Sequence, residues 1–360
     1  MGDDHLSAGI FPTPKAALRW TPNSCSRTTA WQPISAEGKK MSKSITLEDV
    51  RLCFRYILGR EPESEQVLID IFQNCKDFDQ MRKGFIGSQE FQNITNAVTP
   101  GVKPIDWPEI RIDSVVDKDQ LEALFLHIES NWQQMGQGEP HWSVLTDEKF
   151  KQDNINDNMD LFYDTSNRDV EIMKLAFERS GGSISQLKTC FELGCGVGRM
   201  TVALANIFEH VTAVDISEPH LKHAQTALDR RGLRNVTLKK LQKIDQLNEV
   251  EKFDLFYSII VLQHNPPPVM RYMLDQIFSK IKSGGYAYFQ IPTYIVNGDF
   301  RVCDYMSNMT EHGDMEMHPL PQHEIFDLLD SHGMVLREIR EDNLTGNLKH
   351  ISNTILAQRK

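Results

Sequence analysis

Glu192, Gly194, Gly196, Gly198 and Asp215 are the residues of this 360-residue chain whose types and spacing point most directly to chemistry. The stretch from Thr189 to Met200, TCFELGCGVGRM, sets the glycines at alternate positions between an apolar strand and a helix, so a bare backbone can lie against a ligand at the helix N-terminus. Asp215 ends the next apolar strand, VTAVDIS, roughly 20 residues on, where a carboxylate can accept hydrogen bonds from both hydroxyls of a ribose. A dinucleotide fingerprint carries its third glycine one position later, so that a pyrophosphate reaches the helix amides, and that position is Arg199. Glu192 would repel a pyrophosphate and suits a cationic amino group. The pattern describes a nucleoside site that holds an amine and no phosphate.

S-adenosylmethionine has both features. At TCFELGCGVGRM and VTAVDIS the chain resembles the class I S-adenosylmethionine-dependent methyltransferases of bacterial type, whose first motif places an acidic residue before glycines at these spacings. The resemblance covers residues 161–360 and implies an α/β fold: a Rossmann-like seven-stranded sheet with an antiparallel C-terminal hairpin, preceded here by a small all-α domain. It implies S-adenosyl-L-methionine as cofactor, with Glu192 near the amino group, the loop of Gly194, Gly196 and Gly198 under the methionine part, and Asp215 with the adjoining Ile216 at the ribose. It further implies Gln242, after the strand VTLKKL, beside the adenine, and Ser258 at the end of the fourth strand. Family members often fold a Tyr or Trp over the cofactor from just upstream of the first strand, and Tyr163 is the candidate.

The elements that must position these residues follow from periodicity. FDLFYSIIVL, 253–262, is a continuous apolar run, as a parallel strand covered on both faces requires. VMRYMLDQIFSKIKSGG then has helical spacing, a basic last turn and terminal glycines. Residues 286–291 form the next strand, 320–329 a helix, and 334–340 with 354–358 the closing hairpin. Upstream, 121–135 reads as a helix.

Methyl transfer from a sulfonium is an in-line displacement, so the protein must mainly hold nucleophile, methyl and sulfur in line. A hydroxyl acceptor also benefits from a base. Ligands bind at the carboxyl ends of such strands, and the fourth runs into Gln263, His264 and Asn265, making His264 the catalytic candidate. The sequence Asn265-Pro266-Pro267 lacks the following aromatic of amino-group methyltransferases, and QHN and QIPTY replace the acidic ligands of the metal-assisted catechol type, so no metal is expected. The segment 294–322 is too long for a plain connection and reads as a substrate lid bearing His312, Glu316, His318 and Gln322.

A formal net charge of −11 leaves no electrostatic footprint for nucleic acid. No apolar run reaches the roughly 18 residues of a membrane span. Six cysteines without CxxC or zinc spacing read as reduced thiols in a cytoplasm. Residues 1–40 lack apolar periodicity and are either a disordered tail or an over-extended start before Met41. Residues 41–100 form the small helical domain; LGREP at 58–62 and SQEF at 88–91 resemble a short module of bacterial glycosyltransferases and surface proteins, which suggests protein docking and a glycan-linked acceptor. Residues 101–160 form a connector or cap, and 161–360 the methyltransferase domain. The expected function is methyl transfer to a hydroxyl of a small molecule or glycan precursor. The alternatives are N-methylation, a non-catalytic binding or scaffold protein, and a nicotinamide oxidoreductase, the last opposed by Arg199 and the hairpin.

Overall fold

The computed structural model describes residues 45–88, 90–91, 107–309 and 315–360. The expectations for residues 1–40 and for His312 lie outside the described residues. The chain divides into two compact units, one ending at Gly101 and one running from Val102 to Lys360.

The first unit is built from the helices Leu47–Ile57, Glu65–Asn74 and Phe78–Ile86. Each opens on a side-chain cap, from Thr46, Ser64 and Asp77, that satisfies a backbone N–H the helix itself leaves unpaired. Their apolar faces meet in a small core of Val50, Phe54, Leu68, Met81 and Phe85. The two motif halves come together: Arg60 holds the Glu90 carboxylate with two guanidinium nitrogens, one contact at 2.7 Å, and stacks 4.9 Å from the Phe54 ring centre. Arg60 and Glu90 therefore fasten the ends of the module.

The second unit is a seven-stranded sheet in the order β3-β2-β1-β4-β5-β7-β6. Its strands are β1 Thr189–Leu193, β2 His210–Asp215, β3 Val236–Lys240, β4 Phe253–Ser258, β5 Ile281–Ile295, β6 Met334–Asp342 and β7 His350–Arg359. The first five are parallel, and β7 enters antiparallel between β5 and β6, which is the expected closing hairpin. Side chains alternate along a strand, so Phe191, Leu193 and Phe256 go to one face and Cys190, Leu255 and Tyr257 to the other. Two cores result. One lies under the helices Lys118–Gly138 and Pro267–Lys280, the other under Ile155–Arg179 and Arg199–Ala205.

Residues 107–160 pack within the second unit, where Ile112 bridges Phe300, Trp107 stacks on Tyr294, and Ser114 bonds Glu324 at 2.6 Å. One expectation changes here. β4 ends at Ser258 rather than running to 262, because Ile260 takes φ of 60°, which turns the chain out of the sheet. A 3₁₀ turn, Leu262–His264, follows.

Candidate functional site

At the carboxyl ends of β1 and β2 a cavity is lined by Glu192, Gly194, Gly196, Arg199, Asp215 and Ile216, with Trp132, Val144, His220, Leu241, Val261 and Asn265 opposite. Alternation along β1 turns Glu192 toward the helix Arg199–Ala205, and Thr201 Oγ1 donates to its Oε2 at 2.7 Å. The loop turns on φ of 73° at Gly194 and 52° at Gly196, conformations open to glycine. Any side chain there would collide as well. A Cβ at Gly194 would lie 2.4 Å from the Val261 methyl, and one at Gly196 would lie 2.7 Å from Val144.

Asp215 is more engaged than the spacing alone suggests. Its Oδ2 accepts the Gly196 N–H at 2.7 Å and its Oδ1 the Ser217 N–H at 2.8 Å, so the carboxylate pins the glycine loop to the end of β2. Each oxygen keeps a second lone pair for a ribose hydroxyl. Two buried polar atoms near this wall, Ser217 Oγ and His220 Nδ1, have no hydrogen-bond partner among the described residues. The donor set fits S-adenosylmethionine: two buried carboxylates, a bare loop and unspent polar atoms, with a cover of Val144 and Val261 that a ligand on the glycines would displace.

Glu192 is 3% exposed, and burial pushes its carboxyl up to about 7, with Asp215 adding to the effect while Thr201 and Arg199 oppose it. A cationic amino group favours the ionised form, so cofactor affinity is expected to rise with pH through about 7 and to be about tenfold weaker one unit below it. Titration calorimetry between about pH 6 and 7.5, under the α-amino range of about 7.7–8.0, checks this. Glu192→Gln should flatten the profile. A flat wild-type profile would separate Glu192 from the amino group.

Other expected residues lie off the cavity. Tyr163, in the helix Ile155–Arg179, is buried and donates to the Val197 carbonyl at 3.0 Å, facing a different cavity. Trp132 lines the cavity instead. It extends the apolar stripe Leu121, Phe125 and Ile128 of the helix Lys118–Gly138, and that spacing of three and four was the available signal. Gly198 starts the helix Arg199–Ala205 with φ of 81° and packs against Ala224. Gln242 is exposed, its backbone N–H bound to Gln246, and Leu241 faces the cavity. Ser258 donates to the Leu193 carbonyl at 3.2 Å, tying β4 to β1.

His264 is held in a hydrogen-bonded chain away from the cavity. Its Nδ1 lies 2.8 Å from the Glu316 carbonyl, which only accepts, so Nδ1 carries the proton. The Ile260 N–H donates to Gln290 Oε1, Gln290 Nε2 donates to Gln263 Oε1, and Gln263 Nε2 is left to donate to His264 Nε2 at 3.1 Å. Both ring nitrogens are spent, and burial pushes the imidazole down to about 4. His264 stands edge-on behind Trp132 and does not line the cavity.

Three side chains gather on Glu316. Tyr305 OH donates to its Oε2 at 2.6 Å, His318 Nε2 lies 2.9 Å from the same oxygen, and His127 Nε2 lies 3.6 Å from Oε1. Burial raises the carboxyl, but the bonds from His318 and Tyr305 outweigh it and hold Glu316 below the usual range. The His318 N–H donates to the Gln263 carbonyl at 2.9 Å, which places the pair beside the turn after β4. Gln322 bonds Asn353 instead.

Residues 191–285, which include the glycine loop and the strands around it, match the family model described as a methyltransferase domain. The chain is similar to phosphoethanolamine N-methyltransferase 1 of Zea mays, 29% identical over 112 residues, 31% of this chain and 22% of that protein. It is also similar to the ubiquinone biosynthesis O-methyltransferase of Hydrogenovibrio crunogenus (strain DSM 25203 / XCL-2), 27% identical over 121 residues, 33% of this chain and 48% of that protein. The chain thus spans less than half the length of either curated relative. Among solved structures it resembles the magnesium protoporphyrin IX methyltransferase of Synechocystis PCC 6803 with bound SAH, at 18% identity and a TM-score of 0.45, over 65% of this chain and all of that one.

Proposed function

We propose that the second unit transfers a methyl group from S-adenosylmethionine to the hydroxyl of a small molecule, glycan precursors included. The observation that carries this reading is the meeting of Glu192, Gly194, Gly196 and Asp215 in one cavity at the strand ends. Glu192 would hold the amino group, the glycine loop the methionine part, Asp215 and Ile216 the ribose, and Leu241 the adenine side. What the group supplies when bound is a methyl on a sulfonium with its own leaving group. Trp132, on the wall of the same cavity, would help to exclude water from that methyl. Because Glu316 accepts from His318 Nε2, the lone pair would be left on Nδ1, and His318, beside the turn after β4, is the candidate to take the acceptor's proton.

Calorimetry with S-adenosylmethionine and with NAD tests the cofactor half. S-adenosylmethionine should bind and NAD should not. Asp215→Ala removes a charged acceptor and should weaken binding by about ten- to 150-fold. Unchanged affinity in that variant would remove Asp215 from the site. Release of S-adenosylhomocysteine across a panel of hydroxyl and amine acceptors then separates O- from N-methylation.

A further inference from the structure

A second cavity, of about 310 Å³, opens on the other side of the helix Glu218–Arg231. Its lining has no carboxylate, although the chain's net charge is −11. Arg230 and Arg231, at the helix C-terminus, make no ion pair among the described residues. Arginines there complement the helix dipole in any case, but both of these also line the cavity, and the Arg231 guanidinium lies 4.1 Å from the Tyr163 ring centre. Beneath them sits His141, 5% exposed, on the cavity wall, with no hydrogen bond from either ring nitrogen among the described residues. His223 packs edge-on against it at 5.2 Å. Phe150, Ile155 and Met159 supply an apolar side.

Two guanidiniums and two imidazoles without an acid around an apolar floor make a receptor for a phosphate monoester, since planar guanidiniums pair bidentately with phosphate oxygens. We infer that this cavity binds a small phosphorylated ligand, and that its occupancy is linked to that of the cofactor cavity. The link runs through two shared elements. The helix Glu218–Arg231 sends His220 to the cofactor cavity and His223, Arg230 and Arg231 to this one, while the segment 139–145 sends Ser143 and Val144 to the first and His141 to the second. Ser143 Oγ lies 2.8 Å from His220 Nε2, closing the circuit.

The linkage rests on the methyltransferase reading; the anion site does not. Calorimetry on the full chain with phenyl phosphate, phenol and inorganic phosphate tests the site. Phenyl phosphate should bind, phenol should not, and inorganic phosphate should bind more weakly for lack of the apolar contact. Arg230→Gln and Arg231→Gln, each with an unchanged melting temperature, should weaken phenyl phosphate by about tenfold, and Arg231→Lys should recover only part of it. Full binding in the glutamine variants, or equal binding of phenol, would overturn the site. S-adenosylhomocysteine affinity should change when phenyl phosphate saturates, by the same factor as in the reverse titration. Independent affinities would overturn the link, and direct competition would place the phosphate in the cofactor cavity and overturn the second site.

Discussion

His318→Gln is expected to lower single-turnover methyl transfer by about 10² to 10⁴ while leaving S-adenosylmethionine affinity near wild type, because general-base contributions fall in that range and His318 does not line the cofactor cavity. Glu316→Gln keeps the shape but loses the ionised acceptor that orients the ring, so it should lower turnover and shift the pH profile rather than cofactor binding. His264→Gln is the informative companion. It breaks the chain from Gln263 to the Glu316 carbonyl and should lower the melting temperature; its rate in the folded fraction should exceed that of His318→Gln. Full turnover in His318→Gln would remove the base or point to an amine acceptor, which needs none.

Asp169→Ala is expected to cost about 3–5 kcal/mol, because it strands a buried guanidinium. Arg199 is 6% exposed and bonds Asp169 at 2.6 Å and Thr165 at 3.2 Å, joining the helix after the glycine loop to the long helix Ile155–Arg179. The Tm should fall on the order of 10 °C for a unit of this size. Replacing both partners with apolar residues should recover much of the loss, since the stranded charge is then gone. A melt of Asp169→Ala that overlays wild type would show that water reaches Arg199. The same substitution would loosen the cavity wall, so cofactor affinity should fall with stability.

The sequence by itself determined the local chemistry of the cofactor side. Glu192, Gly194, Gly196 and Asp215 lie within two consecutive strands and the turns that end them, so spacing along the chain is nearly spacing in the fold, and their meeting in one cavity followed from a βαβ unit. The buried strands and closing hairpin were equally readable, since continuous apolar runs report burial on both faces. What the tertiary structure decided was every choice between residues distant in sequence. Trp132 rather than Tyr163 lines the cavity, because the helix Lys118–Gly138 packs against the helices Glu218–Arg231 and Pro267–Lys280 while Tyr163 turns to the Val197 carbonyl. His264 is sealed rather than exposed, because Ile260 ends β4 early and delivers the imidazole to Gln263 and Glu316, a partner 52 residues away. A histidine after a strand looks the same in sequence whether its nitrogens are free or spent; only long-range hydrogen bonding settles which.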